Sequence, residues 1–362
     1  MIEYPVRIAQ MMTDMNFGGV EQVIMNYYRN IDKSKIQFDF FALEGSLIPQ
    51  KEEIELLGGR VYVVPRYTHL FQYECEIIKR LKGYPVVHSN MNTLSVFSLF
   101  GAKKAGVPVR ILHNHSTAGK GEKKNIIKFI LRPLCKLFLT DRAACSKHAG
   151  KWLFGKNSTF KVINNAIDLT KYKFNENVRK RIRSELGIDG KFVVGHIGRF
   201  CYAKNQEFVV DIFNEIVKTT DAVLLLLGSG ESRADVESKV RGLGLEDRVI
   251  FVGNKLNANE YYQAMDTFVF PSRYEGLGMV AIEAQASGLP VFCSTKVPFD
   301  VAVTNLAHFC SLSASASAWT ELILANKVFE RQDTTEIIRS AGYDIVTEAK
   351  KLEDYYLDLI KR

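Results

Sequence analysis

The sequence has no Cys-x-x-Cys pair, and its six cysteines (Cys75, Cys135, Cys145, Cys201, Cys293 and Cys310) are scattered along the chain. That pattern excludes a zinc ribbon and a disulfide framework and points to reduced thiols in the cytoplasm. No apolar run approaches the ~18 residues that span a bilayer. The opening MIEYPVRIAQ runs straight into a strand-like segment, without a basic region leading into an apolar stretch, so no signal peptide is expected. A Gly-x-Gly-x-x-Gly fingerprint is missing, which weakens a dinucleotide reading. So is Asp-x-Asp, a common holder of a metal-bound diphosphate. There is no low-complexity tract.

The 362 residues, 47% hydrophobic and 24% charged, suffice for two soluble domains, each with its own core. Net charge is +8 and unevenly placed: residues 103–161 carry 14 Lys and Arg against two acids, Glu122 and Asp141. This stretch suits anionic partners such as phosphates or acidic lipid. Nucleic acid is excluded as the leading reading, because no recognised binding motif accompanies the charge.

Short, nearly continuous apolar segments alternate with helical patterns. Strands are predicted at 6–12, 38–43, 61–65, 85–90, 109–115 and 161–165. A second series is predicted at 191–198, 222–228, 248–253, 267–272, 290–295 and 308–312. Such alternation indicates parallel sheets covered on both faces, and two series indicate two Rossmann-like, doubly wound domains. The boundary is set near 164–174, giving domains over 1–168 and 169–344. A terminal helix follows over 345–362, with Ile345, Ala349, Leu352, Tyr356 and Leu359 at helical spacing.

Ligands of doubly wound sheets sit at the carboxyl ends of the strands, so the strand ends hold the candidates. After the first strand, Gly18 and Gly19 precede a helix and let backbone N–H groups approach a phosphate; a plain turn is the alternative. After the seventh, Arg199 and Lys204 flank a loop that enters a helix, a good diphosphate clamp. Gly228 and Gly230 follow the eighth strand, and Gly253 and Asn254 the ninth, as weaker nucleotide contacts. After the tenth comes PSRYEGLGMVAIEAQASGLPV, in which Glu283 is the only charge between Gly276 and Thr295. A helix is expected from Met279 to Ala286, stopping at Gly288-Leu289-Pro290. A carboxylate inside it needs compensation that Ala and Ile cannot give. Ribose hydroxyls could supply it, and so could a distant Arg. His113 and His115 point to one side of a strand end. One of them facing the cleft as a hydrogen-bond donor or acid–base group is the leading reading, with a plain, partly buried histidine and, more weakly, a metal site as the alternatives.

Glu275-Gly276-Leu277-Gly278 followed by Glu283 resembles the E-x7-E motif of retaining glycosyltransferase family four, which has the GT-B fold. GGVE (18–21), HNHS (113–116), GRF…K (198–204), GSGE (228–231) and SGLPV (287–291) extend the resemblance over nearly the whole chain. The opening MNFGGVEQVIMNYYRNIDKSKIQFDFF is similar to bacterial enzymes of capsule, exopolysaccharide and O-antigen assembly. The resemblance implies two Rossmann-like domains facing a central cleft, with the last helix returning to the first domain. It implies that Arg199 and Lys204 hold the donor diphosphate, Glu283 the ribose, and Glu275 with the backbone of Gly276, Leu277 and Gly278 the transferred hexose. His115 matches the family's cleft histidine better than His113. The donor would be a nucleotide-sugar, UDP-linked by the family's commonest usage, and no metal or other cofactor would be needed. Where the family reads Pro-Asn-Gly-Ile-Asp, this chain has Asn164-Asn165-Ala166-Ile167-Asp168, which alters the local loop.

Lys120, Lys124, Lys128, Arg132 and Lys136 recur every four residues beside Ile126, Ile127, Ile130 and Leu134, with Pro133 able to kink the helix. A basic amphipathic helix suits an anionic membrane surface, with a plain solvated charged face as the alternative. The expectation is a peripheral enzyme on the inner face of the cell membrane, acting on a polyprenyl-diphosphate-linked acceptor. A GT-B sugar-nucleotide 2-epimerase and a non-catalytic nucleotide-sugar-binding scaffold subunit are the competing readings.

Overall fold

The computed structural model describes residues 4–16, 19–115 and 125–362. The chain divides into two compact units, Met1–Ile167 with Gly342–Arg362, and Asp168–Ala341.

In the first unit the elements run β1 (Val6–Met11), α1 (Gly19–Asn30), β2 (Ile36–Leu43), α2 (Lys51–Leu56), β3 (Arg60–Val64), α3 (Leu70–Leu81) and β4 (Val86–Ser89). They continue with α4 (Ser95–Lys104), β5 (Val109–Asn114), α5 (Asn125–Leu134), β6 (Asp141–Ala144), α6 (Lys147–Phe154) and β7 (Lys161–Val162). All strand pairs are parallel, in the order β3-β2-β1-β4-β5-β6-β7. The order reverses between β1 and β4, which is where such sheets open a crevice at their carboxyl ends.

The second unit holds α7 (Leu169–Tyr172), α8 (Glu176–Leu186), β8 (Phe192–Ile197), α9 (Gln206–Ile216), β9 (Ala222–Leu227), α10 (Arg233–Gly242) and β10 (Val249–Gly253). It continues with α11 (Ala258–Ala264), β11 (Thr267–Phe270), α12 (Met279–Ala286), β12 (Val291–Ser294), β13 (Ala307–Cys310), α13 (Ala316–Ala325) and α14 (Thr335–Ser340). The final helix, α15 (Ile345–Ile360), belongs to the first unit. The second sheet is also wholly parallel, in the order β10-β9-β8-β11-β12-β13, and reverses between β8 and β11.

Burial explains the strands. All eight residues of β2 and all six of β9 are buried, as expected where helices cover both faces of a sheet. Asp39 lies inside this run and is compensated by the Arg7 guanidinium and by the Tyr84 hydroxyl at 2.6 Å. The sequence reading missed β6. Its Asp-Arg-Ala-Ala has little strand propensity and enters the sheet through its neighbours, with Ile111 opposite Asp141. The strand expected over 161–165 is shorter, stopping at Val162.

Helix ends follow local chemistry. Ser146 caps α6 by accepting from the Ala149 N–H at 3.1 Å, and Gly187 ends α8 in the left-handed conformation. Helix α12 spans Met279–Ala286 and lacks a polar face. Its Gln285 is wholly buried, bonding the carbonyls of Ala281 and Val301 and accepting from Thr304.

Helix α15 buries Ile345, Ala349, Leu352, Tyr356 and Leu359 in one core with Ile8, Phe38 and Ile111. Leu352→Ala should therefore lower the stability of the first unit by about 2–4 kcal/mol. Denaturant titration of the Trp319→Phe background, which leaves Trp152 of α6 as the only indole, reads that unit alone.

Candidate functional site

At the switch point of the second sheet, the loops after β8 and β11 are tied together. The Arg273 N–H donates to the Ala203 carbonyl at 2.7 Å, the Arg273 guanidinium to the Tyr202 carbonyl at 2.7 Å, and the Asn205 amide to the Pro271 carbonyl at 3.1 Å. This brings the Lys204 ammonium to 2.7 Å from Glu275, with side-chain exposures of only 19% and 11%. The ammonium also lies 5.0 Å from the centre of the Phe270 ring.

Glu283, in the middle of α12, accepts from the Tyr262 hydroxyl at 2.8 Å. Burial pushes its carboxyl above the usual range, while Tyr262, the Lys204 charge and the Tyr172 hydroxyl pull it back. The compensation that neighbouring residues could not give thus comes from two tyrosines of α11 and α7, which no local pattern announced. Lys204, Glu275 and Glu283 are brought together. Arg199 is not drawn into that group: it is exposed and pairs with Glu231 at 3.0 Å.

Around this trio several polar atoms lack partners: His196 Nε2, Asn205 Oδ1, Gln206 Oε1 and Ser272 Oγ. The other His196 nitrogen donates to the Val269 carbonyl at 2.8 Å, so Nε2 is a bare acceptor. Gly228, at φ +127°, would carry a Cβ only 2.1 Å from the Gly198 carbonyl oxygen, and Gly230 one 2.2 Å from that of Phe200. Their bareness lets the loop after β9 support the Arg199 loop, which is a scaffolding need. Gly253 faces open space, and the Asn254 amide donates to Ser229 at 2.8 Å. Leu277 is buried, and Gly278 enters α12 at φ +100°.

In the first unit, Gly19 opens α1 with free space where a side chain would be. Gly18, Lys120 and Lys124 lie outside the described residues, as does the side chain of Lys128. Strand alternation places Gln10, His88, Asn90, His113 and His115 on the α15 side of the sheet at its switch point. The rings of His113 and His115 lie 3.9 Å apart. His113 Nδ1 is 3.0 Å from His88 Nε2, and His115 Nε2 is 3.0 Å from Asn90 Oδ1. Burial pushes His88 and His115 down to about 3 and His113 well below its ordinary value, so all three rings are neutral. Sequence reasoning missed His88, although it ends its strand much as His113 ends the next. Among the described residues no cluster of His, Cys, Asp or Glu is arranged to hold a metal ion.

Helix α5 ends one residue past Pro133. Arg132 donates to the Leu153 carbonyl at 3.4 Å and Lys136 to that of Phe154 at 3.2 Å, so both serve the carboxyl end of α6. Phe129, Ile130, Leu134 and Leu137 are exposed.

Two doubly wound parallel sheets, each with polar groups gathered at its switch point, define the class by fold: a protein of GT-B architecture. Residues 178–342 match the family described as glycosyl transferases group 1. EpsF of Bacillus subtilis, named as a glycosyltransferase, is 31% identical over 97% of this chain and 96% of its own. The UDP-Gal:alpha-D-GlcNAc-diphosphoundecaprenol alpha-1,3-galactosyltransferase of Escherichia coli is 25% identical over 98% and 97%. Anabaena HepE, solved in complex with UDP-glucose, shares the fold with a TM-score of 0.82 at 18% identity, covering 97% of this chain and 99% of that one. The chain belongs to the group 1 glycosyltransferases.

The raised Glu283 carboxyl sets a pH signature. The folded state binds more protons than the unfolded one between the ordinary glutamate value of about 4.3 and the raised folded value. This group's contribution to stability is therefore fullest below that window and is lost as pH rises through it. Glu283→Gln, measured by calorimetry without nucleotide, should be at least as heat-stable as the parent at pH 8, with its advantage shrinking towards pH 4.

Proposed function

We propose that the chain moves a hexose or N-acetylhexosamine from a nucleotide-sugar, with UDP as the carrier, to a polyprenyl-diphosphate-linked sugar acceptor in bacterial surface-polysaccharide assembly. The observation that carries the donor half is the grouping of Lys204, Glu275 and Glu283 at the carboxyl end of the second sheet. The E. coli relative's name supplies the precedent for a diphosphoundecaprenol-linked acceptor.

In this reading Lys204 turns from Glu275 to the donor diphosphate, joined by Arg199, whose bond to exposed Glu231 costs little to break. Glu283 accepts from the ribose hydroxyls. Glu275, released, accepts from hydroxyls of the hexose, beside the backbone of Gly276 to Gly278, while Gly253 and Asn254 border the base. The C1–oxygen bond breaks with its electrons passing to the diphosphate. The acceptor hydroxyl attacks C1 from the same face, and its proton passes to the departing phosphate oxygen, so configuration is retained. His113 and His115 face the acceptor. Two side-chain cations serve the leaving charge, so the reaction needs no metal. Cations brought onto the leaving group in this way are worth up to about 10²–10³ in rate.

Lys204→Ala and Arg199→Ala should each cut transfer at least about tenfold with the fold intact. The parent should be indifferent to EDTA, and the product should keep the donor's anomeric configuration by NMR coupling. Near-normal turnover in both variants would remove the clamp.

The acceptor chemistry calls for a membrane surface on the cytoplasmic side. No helix among the described residues is long and apolar enough to cross a membrane. The exposed Phe129, Ile130, Leu134 and Leu137 offer an apolar edge, and each Lys or Arg near anionic lipid would add about 1 kcal/mol. In flotation with anionic vesicles at low salt, the parent should rise with the lipid and a Phe129→Glu, Ile130→Glu double variant should not.

A further inference from the structure

The polar chain at the first sheet's switch point has a direction that hydrogen-bond bookkeeping fixes. It begins on α15, at Tyr356, whose ring is wholly buried and packs edge-on against Phe38 at 6.0 Å. The Tyr356 oxygen accepts from the Gln10 amide at 3.0 Å. Its one proton then goes to His88 Nδ1 at 2.6 Å, because the Gln10 amide nitrogen cannot accept. His88 therefore carries its own proton on Nε2 and donates it to His113 Nδ1 at 3.0 Å. That leaves the His113 proton on Nε2.

A second branch starts from the same Gln10. Its carbonyl oxygen accepts from the Asn90 amide nitrogen at 3.0 Å. The same nitrogen faces the His88 carbonyl at 3.5 Å, a group that only accepts, so the amide cannot be reversed. Asn90 Oδ1 then turns to His115 Nε2, which must be the protonated nitrogen. His115 Nδ1 is left bare. These tautomers are assignments from the network rather than observed protons.

Both chains end without partners: His113 Nε2 and His115 Nδ1 make no hydrogen bond, though both are out of solvent. The two ring centres lie 3.9 Å apart, and one bare donor with one bare acceptor is the pair a hydroxyl needs, since it accepts with a lone pair and donates its proton.

We propose that Tyr356 is a positioning residue that fixes the tautomers of His113 and His115 through His88, Gln10 and Asn90. His113 thereby presents an Nε2–H donor, and His115 a bare Nδ1 acceptor, to a hydroxyl-bearing ligand at the carboxyl ends of β1, β4 and β5. The kinetic half of this proposal rests on the glycosyl-transfer reading; the tautomer half does not. Packing alone does not account for the arrangement, because an all-apolar cluster would fill the same space without orphaned nitrogens.

The test uses the full chain labelled with ¹⁵N-histidine. In the parent, the ring-nitrogen shifts should report single Nε2–H tautomers for His88, His113 and His115. Tyr356→Phe keeps the ring and removes the hydroxyl. It should give mixed tautomers at His88 and His113 and lower kcat for transfer about tenfold, with the KM for donor little changed. At His88, Leu should reproduce that loss, whereas Gln should restore most of the rate, because its amide can accept from Tyr356 and donate to His113. If Tyr356→Phe does not fold, the His88 pair decides alone. Unchanged tautomers in folded Tyr356→Phe, altered tautomers with an unchanged rate, or equal losses in His88→Leu and His88→Gln would each overturn the proposal. A parent without transfer activity would overturn the proposed function instead, and the nitrogen shifts would still test the chain.

Discussion

One contact orders the second unit: an ammonium and a carboxylate 2.7 Å apart, both largely withdrawn from water, on loops that leave neighbouring parallel strands. A withdrawn ion pair is a poor source of stability, because desolvation offsets much of the attraction and the loss of either partner strands the other. Keeping Lys204 and Glu275 in place therefore requires a scaffold, and the surrounding chemistry supplies one. Backbone and side-chain bonds from Arg273 and Asn205 lock the two loops together. Bare glycines at 228 and 230 let the next loop press against the first, backbone to backbone. An arrangement that holds opposite charges close, yet does not seal them in, is ready to exchange each for a ligand group.

The first unit solves a different problem with the same topology. Its switch point gathers Gln10, His88, Asn90, His113 and His115, all uncharged, around a tyrosine from the last helix. Burial keeps the imidazoles neutral. The contrast fits the chemistry proposed for the two units. A departing diphosphate develops negative charge and calls for cations, whereas a hydroxyl calls for oriented donors and acceptors and would gain nothing from an imidazolium.

Much of this was legible in the sequence, for identifiable reasons. Central strands buried on both faces, such as β2 and β9, read as unbroken apolar runs, and twelve predicted segments in all fell on strands, with ends adrift by a few residues. The thirteenth, β6, did not, because Asp-Arg-Ala-Ala owes its conformation to β5 and β7 rather than to its own residues. Glu283 stood out because it is one charge in an otherwise uncharged helix. Its partners could not: Tyr262 and Tyr172 are ordinary residues of other helices, brought near by tertiary packing. Tyr356 shows the same limit at greater range. Its helical spacing marked it as a core residue, and it is one, but the hydroxyl's business lies with Gln10, 346 positions away.

The basic stretch teaches a further distinction, between charge that is present and charge that is available. Counting residues makes 103–161 strongly positive, and a four-residue repeat makes part of it look like one helical stripe. In the structure Arg132 and Lys136 are spent on the carbonyls that end α6, and Arg132 also lies over Trp152 at 5.5 Å. Those two cations answer a local need, the exposed acceptors of a helix terminus. The bonds fix the two head groups but leave their charge intact, so both still add to the field felt by an anionic surface, while the apolar side chains left exposed on α5 would supply the contact. A surface defined by such apolar groups would bind by insertion, with charge adding to the hold rather than creating it, and its affinity would survive salt better than that of a purely basic stripe.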